Sequence, residues 1–168
     1  MLPLPLNRSQ GLLFTSLLLL LLTMATPRWL QLDGVPPCWV VLWLLPWAVV
    51  EGPVAGITAG LLLGLALDGL QGEGITVVPM LMLLGLWWGQ FLSARRPLER
   101  STTLGLQALL GTLLLNASHA LQLHWRGVGV TSAWQLAMAQ ALLTGLLAPL
   151  VCSLLVLFWR RRTLRYGR

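Results

Sequence analysis

Residues 52–74 read GPVAGITAGLLLGLALDGLQGEG, with an aspartate, Asp68, set in apolar company. Gly52, Gly56, Gly60 and Gly64 recur at intervals of four, and Asp68 and Gly72 continue the series. At 3.6 residues per turn, positions four apart share nearly one helix face, drifting by about 40° per step. The spacing therefore predicts a helix carrying a groove free of side chains, flanked by Ala55 and Ala59. Helices in lipid gain little from hydrophobic contact with one another, so small residues that let backbones approach supply the association. Gly85 and Gly89 repeat the device on the next apolar run, and Ala133, Ala137, Ala141 and Gly145 repeat it on the last, up to Pro149. The favoured use is packing within one bundle, and the alternative is a seat for a partner's transmembrane helix. Bulk at Gly60 is expected to separate the packed backbones, whereas trimming Leu63, read as lipid-facing, is expected to be mild.

The rest of the chain makes lipid the solvent. Of 168 residues 57% are hydrophobic and 10% charged, against about 25% charged in an ordinary soluble domain. The mean hydropathy is +0.79. Too few polar side chains remain to cover a water-facing surface, so the sequence predicts an all-α integral membrane protein. The net charge of +6 comes from arginine alone. Arg160, Arg161, Arg162, Arg165 and Arg168 cluster after Phe158, and Arg95, Arg96 and Arg100 fall in SARRPLER. Clusters beside apolar runs report topology, so nucleic acid is not an expected partner. Cys38 and Cys152 lie in different apolar runs without CxxC spacing, and read as packing residues.

Six apolar runs can be marked, at about 11–26, 38–50, 54–70, 75–92, 101–123 and 132–159, as a single polytopic domain with a basic tail at 160–168. The first is read as an uncleaved span because everything after it is also membranous. The second is short for a span of about 20 residues and contains Pro46. Charge separates it from the third. With six spans and both termini cytoplasmic, nine arginines lie inside, and only Arg28 and Arg126 lie outside. Fusing the two runs would break that positive-inside pattern. Trp29, Trp39, Trp47, Trp87, Trp88, Trp125, Trp134 and Trp159 mostly fall near span ends, where an indole suits the interface, and Trp43 lies deeper.

Asp68 comes about 22 Å along its helix from Pro53, at 1.5 Å per residue, near the outer interface. A carboxylate in a last helical turn faces the negative end of the helix dipole, unfavourable by about 0.3–1 kcal/mol. It reads either as a wet interfacial side chain or as an anchor of the turn to the fourth run, with Arg28, Arg126 or His124 as candidate cations. Chemistry is otherwise sparse. Glu51, Asp68, Glu73 and Glu99 fall at separate loops or span ends, so no carboxylate pair is poised for acid–base work. His119 and His124 are five apart, off the i, i+4 spacing of helical metal ligands, so no metal or cofactor is expected. Asn116, His119 and Gln122 form a polar stripe that suits hydrogen bonding between helices. There is no P-loop, Gly-x-Ser-x-Gly or Rossmann fingerprint, and the expectation is a non-enzymatic protein without a midplane pocket of convergent polar groups, which only the Asn116–His119 stripe could begin.

A span with Gly52, Ala55, Gly56, Gly60, Leu61, Gly64, Leu65 and Asp68, then a short turn with Gly72 and Gly74 and another apolar helix, resembles the MreD family of rod shape-determining proteins. The chain length, first helix and basic tail are also similar to that family. The resemblance implies a scaffold of the bacterial elongation complex, in the cell inner membrane, regulating cell shape and peptidoglycan synthesis. The partners it implies are an MreC-like bitopic protein, an MreB-like filament, and the glycan polymerase and transpeptidase of wall synthesis. A second reading is a transport component resembling the substrate-binding subunit of an energy-coupling-factor transporter. Those subunits carry an Ala-x-x-x-Ala motif on the first helix, which residues 12–25 lack.

Overall fold

The computed structural model describes residues 34–71, 74–91, 101–127 and 133–165, together with Thr23 and Gln31. The first apolar run apart from Thr23, with Arg8, Arg28, Gly72, Glu73 and SARRPLER, lies outside the described residues. Among those described the architecture is all-helical, with five helices: α1 (Trp39–Glu51), α2 (Pro53–Gln71), α3 (Val78–Phe91), α4 (Ser101–Trp125) and α5 (Ala133–Arg165). Three of them, over Pro53–Leu70, Thr103–Trp125 and Trp134–Phe158, are long and apolar enough to cross a membrane.

The shortest helix is the centre. α1 has 13 residues, about 20 Å at 1.5 Å each, well under the roughly 30 Å of a bilayer core. It has no polar face, and a helix apolar all round belongs inside a bundle. Trp39 to Pro46, with Ala48 and Val49, are buried, and α1 packs against all four other helices. Pro46 has no N–H for the Leu42 carbonyl one turn back. The Cys152 thiol of α5 donates to that carbonyl instead, at 3.9 Å. Cys152 is thus more than filler. At the other end Gly52 adopts φ +91°, a conformation that glycine reaches without strain, and stops α1 in one residue. Pro53 then opens α2 at the position where its missing N–H is harmless.

α2 and α3 form an antiparallel hairpin whose main chains touch. A Cβ on Gly56 would overlap the Gly85 carbonyl, and one on Gly85 would overlap that of Gly56. A Cβ on Gly60 would stand 2.5 Å from the Leu81 oxygen, and one on Gly64 2.7 Å from the Val78 Cα. Gly89 lies against the backbone of Gly52 and Pro53. Leu63, expected to face lipid, is buried at 5% exposure, while its neighbour Leu62 is 67% exposed. One residue is a 100° turn of the helix, so the glycines define the seam but Leu63 points on into the core. Trp88 is a second correction, for it is fully buried rather than interfacial. Its six-membered ring lies on Gly111 of α4, close enough that a Cβ there would clash. Trp39 and Trp43 are buried too, and Trp43 stacks on Trp47 with centroids 5.6 Å apart.

α4 and α5 make the second antiparallel hairpin. Pro149 leaves the Gly145 carbonyl without its helical donor, and that oxygen faces Gly105, where a Cβ would come within 2.8 Å. α5 does not end at Pro149. It runs 33 residues, about 50 Å, through Arg160, Arg161 and Arg162 to Arg165, so most of the basic tail extends the last helix. Leu142, Leu146, Leu150 and Leu154 form its exposed apolar stripe. Trp125 and Trp134, at the ends of α4 and α5 where the chain turns, are also exposed.

Candidate functional site

Two polar clusters interrupt the apolar helices, the first at an exposed turn and the second at the buried start of α1. The first closes the α2–α3 hairpin. The Thr76 hydroxyl donates to Asp68 Oδ2 at 2.6 Å, and the Val77 N–H donates to Asp68 Oδ1 at 2.9 Å. Val77 directly precedes α3, so its amide belongs to the positive end of that helix. The sequence shows Asp68 only against the negative end of its own helix. Across the turn it meets an opposite pole, which offsets the penalty. α4 secures the same turn. The Gln122 side chain accepts from the Thr76 N–H at 3.1 Å and donates to the Thr76 carbonyl at 2.9 Å, gripping one residue from both sides. The Arg126 guanidinium donates to the Gly74 carbonyl. Residues 75–77, expected to begin a helix, are instead held non-helical by these bonds.

The second cluster lies where α1 begins. Asn116 Nδ2 of α4 donates to Gln140 Oε1 of α5 at 3.0 Å, and Gln140 Nε2 donates to the Pro36 carbonyl at 3.2 Å. One turn along, the Thr144 hydroxyl donates to the Gln140 carbonyl at 2.6 Å and accepts from the Cys38 N–H at 2.9 Å. A helix leaves its first amides without partners, and α1 begins inside the bundle, where water cannot supply them. α5 therefore provides one acceptor, Thr144, which is itself fully buried.

Beside this second cluster opens a groove of about 760 Å³, walled by α4, α5 and residues 34–36. Its lining is mainly alanine, leucine and tryptophan, with Asn116, His119, His124 and Gln140 as the polar exceptions. The Asn116–His119 stripe thus borders a groove, which lies toward the α4–α5 turn. His119 is half-buried on its wall and has no hydrogen-bond partner among the described residues.

The structure thus divides the residues singled out above. Gly56, Gly60, Gly64, Gly85 and Gly89 meet along one seam, with Asp68 at its end, while Gly52 acts as a helix stop. The Asn116–His119–Gln122 stripe splits. Asn116 and His119 look onto the groove, and Gln122 turns to the Asp68 hairpin. Sequence reasoning passed over Gln140, Thr144 and Thr76. Each is an isolated polar residue in an apolar run, and such a residue needs a partner. Among the described residues no three His, Cys, Asp or Glu side chains gather closely enough to hold a metal. No protein-family model, curated protein or solved structure matches the chain.

Proposed function

We propose that the chain is a six-span protein of a bacterial inner membrane, with both termini cytoplasmic, serving as a non-enzymatic scaffold of the cell elongation complex. One observation supports this reading above others. Of the residues that carry the resemblance to MreD, Gly56, Gly60, Gly64 and Asp68 are those at which α2 and α3 touch and are locked. A rigid hairpin inside a bundle with long apolar outer faces suits a protein whose work is to hold others. In this role the outer faces receive an MreC-like protein and the wall-synthesis glycan polymerase and transpeptidase, and the arginine-rich end of α5 lies on the side of an MreB-like filament. The six-span topology is tested with an impermeant thiol reagent on single-cysteine variants of loop residues. Labelling of residues 93–100 from outside the cell would reject it.

Depletion of the protein tests the function. A scaffold of elongation gives wide, rounded cells, and re-expression restores their width. A second reading, a transport component, is favoured by the groove beside Asn116 and Gln140, since a cavity that joins apolar walls to a few polar groups can hold a small solute. Normal cell shape with a new nutrient requirement would select that reading and reject the scaffold.

A further inference from the structure

The groove between α4 and α5 has the size and the mixed lining of a small-molecule site. Its volume, about 760 Å³, falls in the roughly 300–1,000 Å³ range of small-molecule sites, which combine apolar walls with a few placed polar groups. Asn116 spends its amide N–H on Gln140, so its carbonyl oxygen is left to accept, and the His119 imidazole beside it has no partner among the described residues. His124 continues the polar line eight residues beyond Asn116, a rise of about 12 Å. Among the described residues the lining contains neither a carboxylate nor an arginine. Arg126, two residues beyond His124, is held to the Gly74 carbonyl on the α2–α3 turn. Among the described residues a charged headgroup would find no fixed counter-charge there, and burying it unpaired would be costly. The exposed indole of Trp134 lines the groove, and exposed Trp125 follows the lining residue His124 in sequence, which suits the depth where lipid headgroups meet acyl chains.

We propose that this groove binds a neutral, hydroxyl-bearing amphiphile of the acylglycerol class, its hydroxyls on Asn116 and His119 and its chain along the apolar walls. A hydroxyl both donates and accepts, so it satisfies a carbonyl oxygen and an imidazole together. The site is independent of whether the protein works as a scaffold or in transport.

The test uses the full chain in nanodiscs and a monoacylglycerol carrying a photoactivatable diazirine in its acyl chain. Labelling should be saturable, concentrate on residues 113–124 and 134–140, and fall at least five-fold with excess unlabelled monoacylglycerol. Excess phosphatidylglycerol, the anionic arm, should compete at least five-fold less well. Ala137→Phe, which fills the groove, should lower labelling by a similar factor. His119→Leu should weaken it several-fold, and Leu150→Phe on the outer stripe should leave it unchanged. Labelling spread along α5 without competition would overturn the proposal. Equal or better competition by phosphatidylglycerol would do the same, as would no labelling because another part of the chain fills the groove. The competition on the unmodified protein decides the matter even where a variant fails to assemble.

Discussion

In the α2–α3 hairpin the main chains meet at Gly56 and Gly85 with no side chain between them. In the α4–α5 hairpin they meet near Gly105 and Gly145, then separate around a polar link and a groove. Both pairs are predominantly apolar, so hydrophobicity does not explain the difference. What differs is where side chains have been removed. Three glycines at helical spacing on α2, with two more on α3, leave no space between the helices. One glycine on α4 opposite one on α5 fixes a single crossing point, and farther along one hydrogen bond, Asn116 to Gln140, links the pair across a gap. The first arrangement is stiff and closed, and the second is open to a ligand.

The largest effect should come from bulk in the closed seam. Gly85→Leu and Gly60→Leu place carbons where the opposite main chain lies, and backbone cannot rotate aside as a side chain can. Overpacking typically costs about 1–3 kcal/mol, and these sites should reach or exceed the upper end. Protein recovered from membranes should fall severalfold. The matched control is Leu62→Val on the exposed face of α2, which should change recovery little. Normal recovery of both glycine variants would mean that α2 and α3 do not touch where the structure puts them.

Asp68 comes next, since it closes that seam. Asp68→Leu strands the Thr76 hydroxyl and the Val77 amide, and hydrogen bonds to charged groups contribute about 1.5–3 kcal/mol. Asp68→Asn keeps an oxygen for the Val77 amide and should lose no more than about half as much. Thermal unfolding in detergent would rank the three proteins. An Asn variant as damaged as the Leu variant would show that charge, rather than hydrogen-bond geometry, holds the turn.

On the open side, Thr144→Val preserves shape and removes the acceptor for the Cys38 amide. A buried amide without a partner costs about 1–3 kcal/mol. The loss should appear as a lower unfolding midpoint and faster hydrogen exchange at the start of α1. Unchanged exchange there would mean that α1 does not depend on α5 for its first turn.

These sites also mark what the sequence discloses. The seam is legible because glycines four apart share one helix face, but the central place of α1 is not, since its run reads only as short for a span. Leu63 is not legible. A ridge that drifts by 40° per step leaves its flanks undefined, and only the position of α1 shows that Leu63 is inside and Leu62 outside. Asp68 is half legible, since its place at the end of the ridge is visible but its use by the next helix depends on how residues 74–77 fold back. The groove is the least legible feature. Asn116 and Gln140 are 24 residues apart, and nothing in either run shows that they bond. Residues 34–36, which wall the groove, read as an ordinary proline-containing loop.

The smallest predicted effect concerns the contact between α5 and α1, the central helix against which both hairpins pack. Pro46 deprives the Leu42 carbonyl of its helical donor, and the Cys152 thiol replaces it. A thiol is a weak donor, so Cys152→Val, similar in size and apolar, should lose only about 0.5–1 kcal/mol, the low end for a buried hydrogen bond. Pro46→Ala restores an N–H to α1, although it also empties part of a fully buried site. That packing loss is common to both arms of a double-mutant cycle and cancels. If Cys152 serves Leu42, Cys152→Val should matter less in the Pro46→Ala background, where the main chain supplies the donor, giving a coupling of about 0.5 kcal/mol in unfolding free energy. Strict additivity would reduce Cys152 to the packing residue that its apolar surroundings suggest, and would leave the Leu42 carbonyl as a tolerated defect at the centre of the bundle.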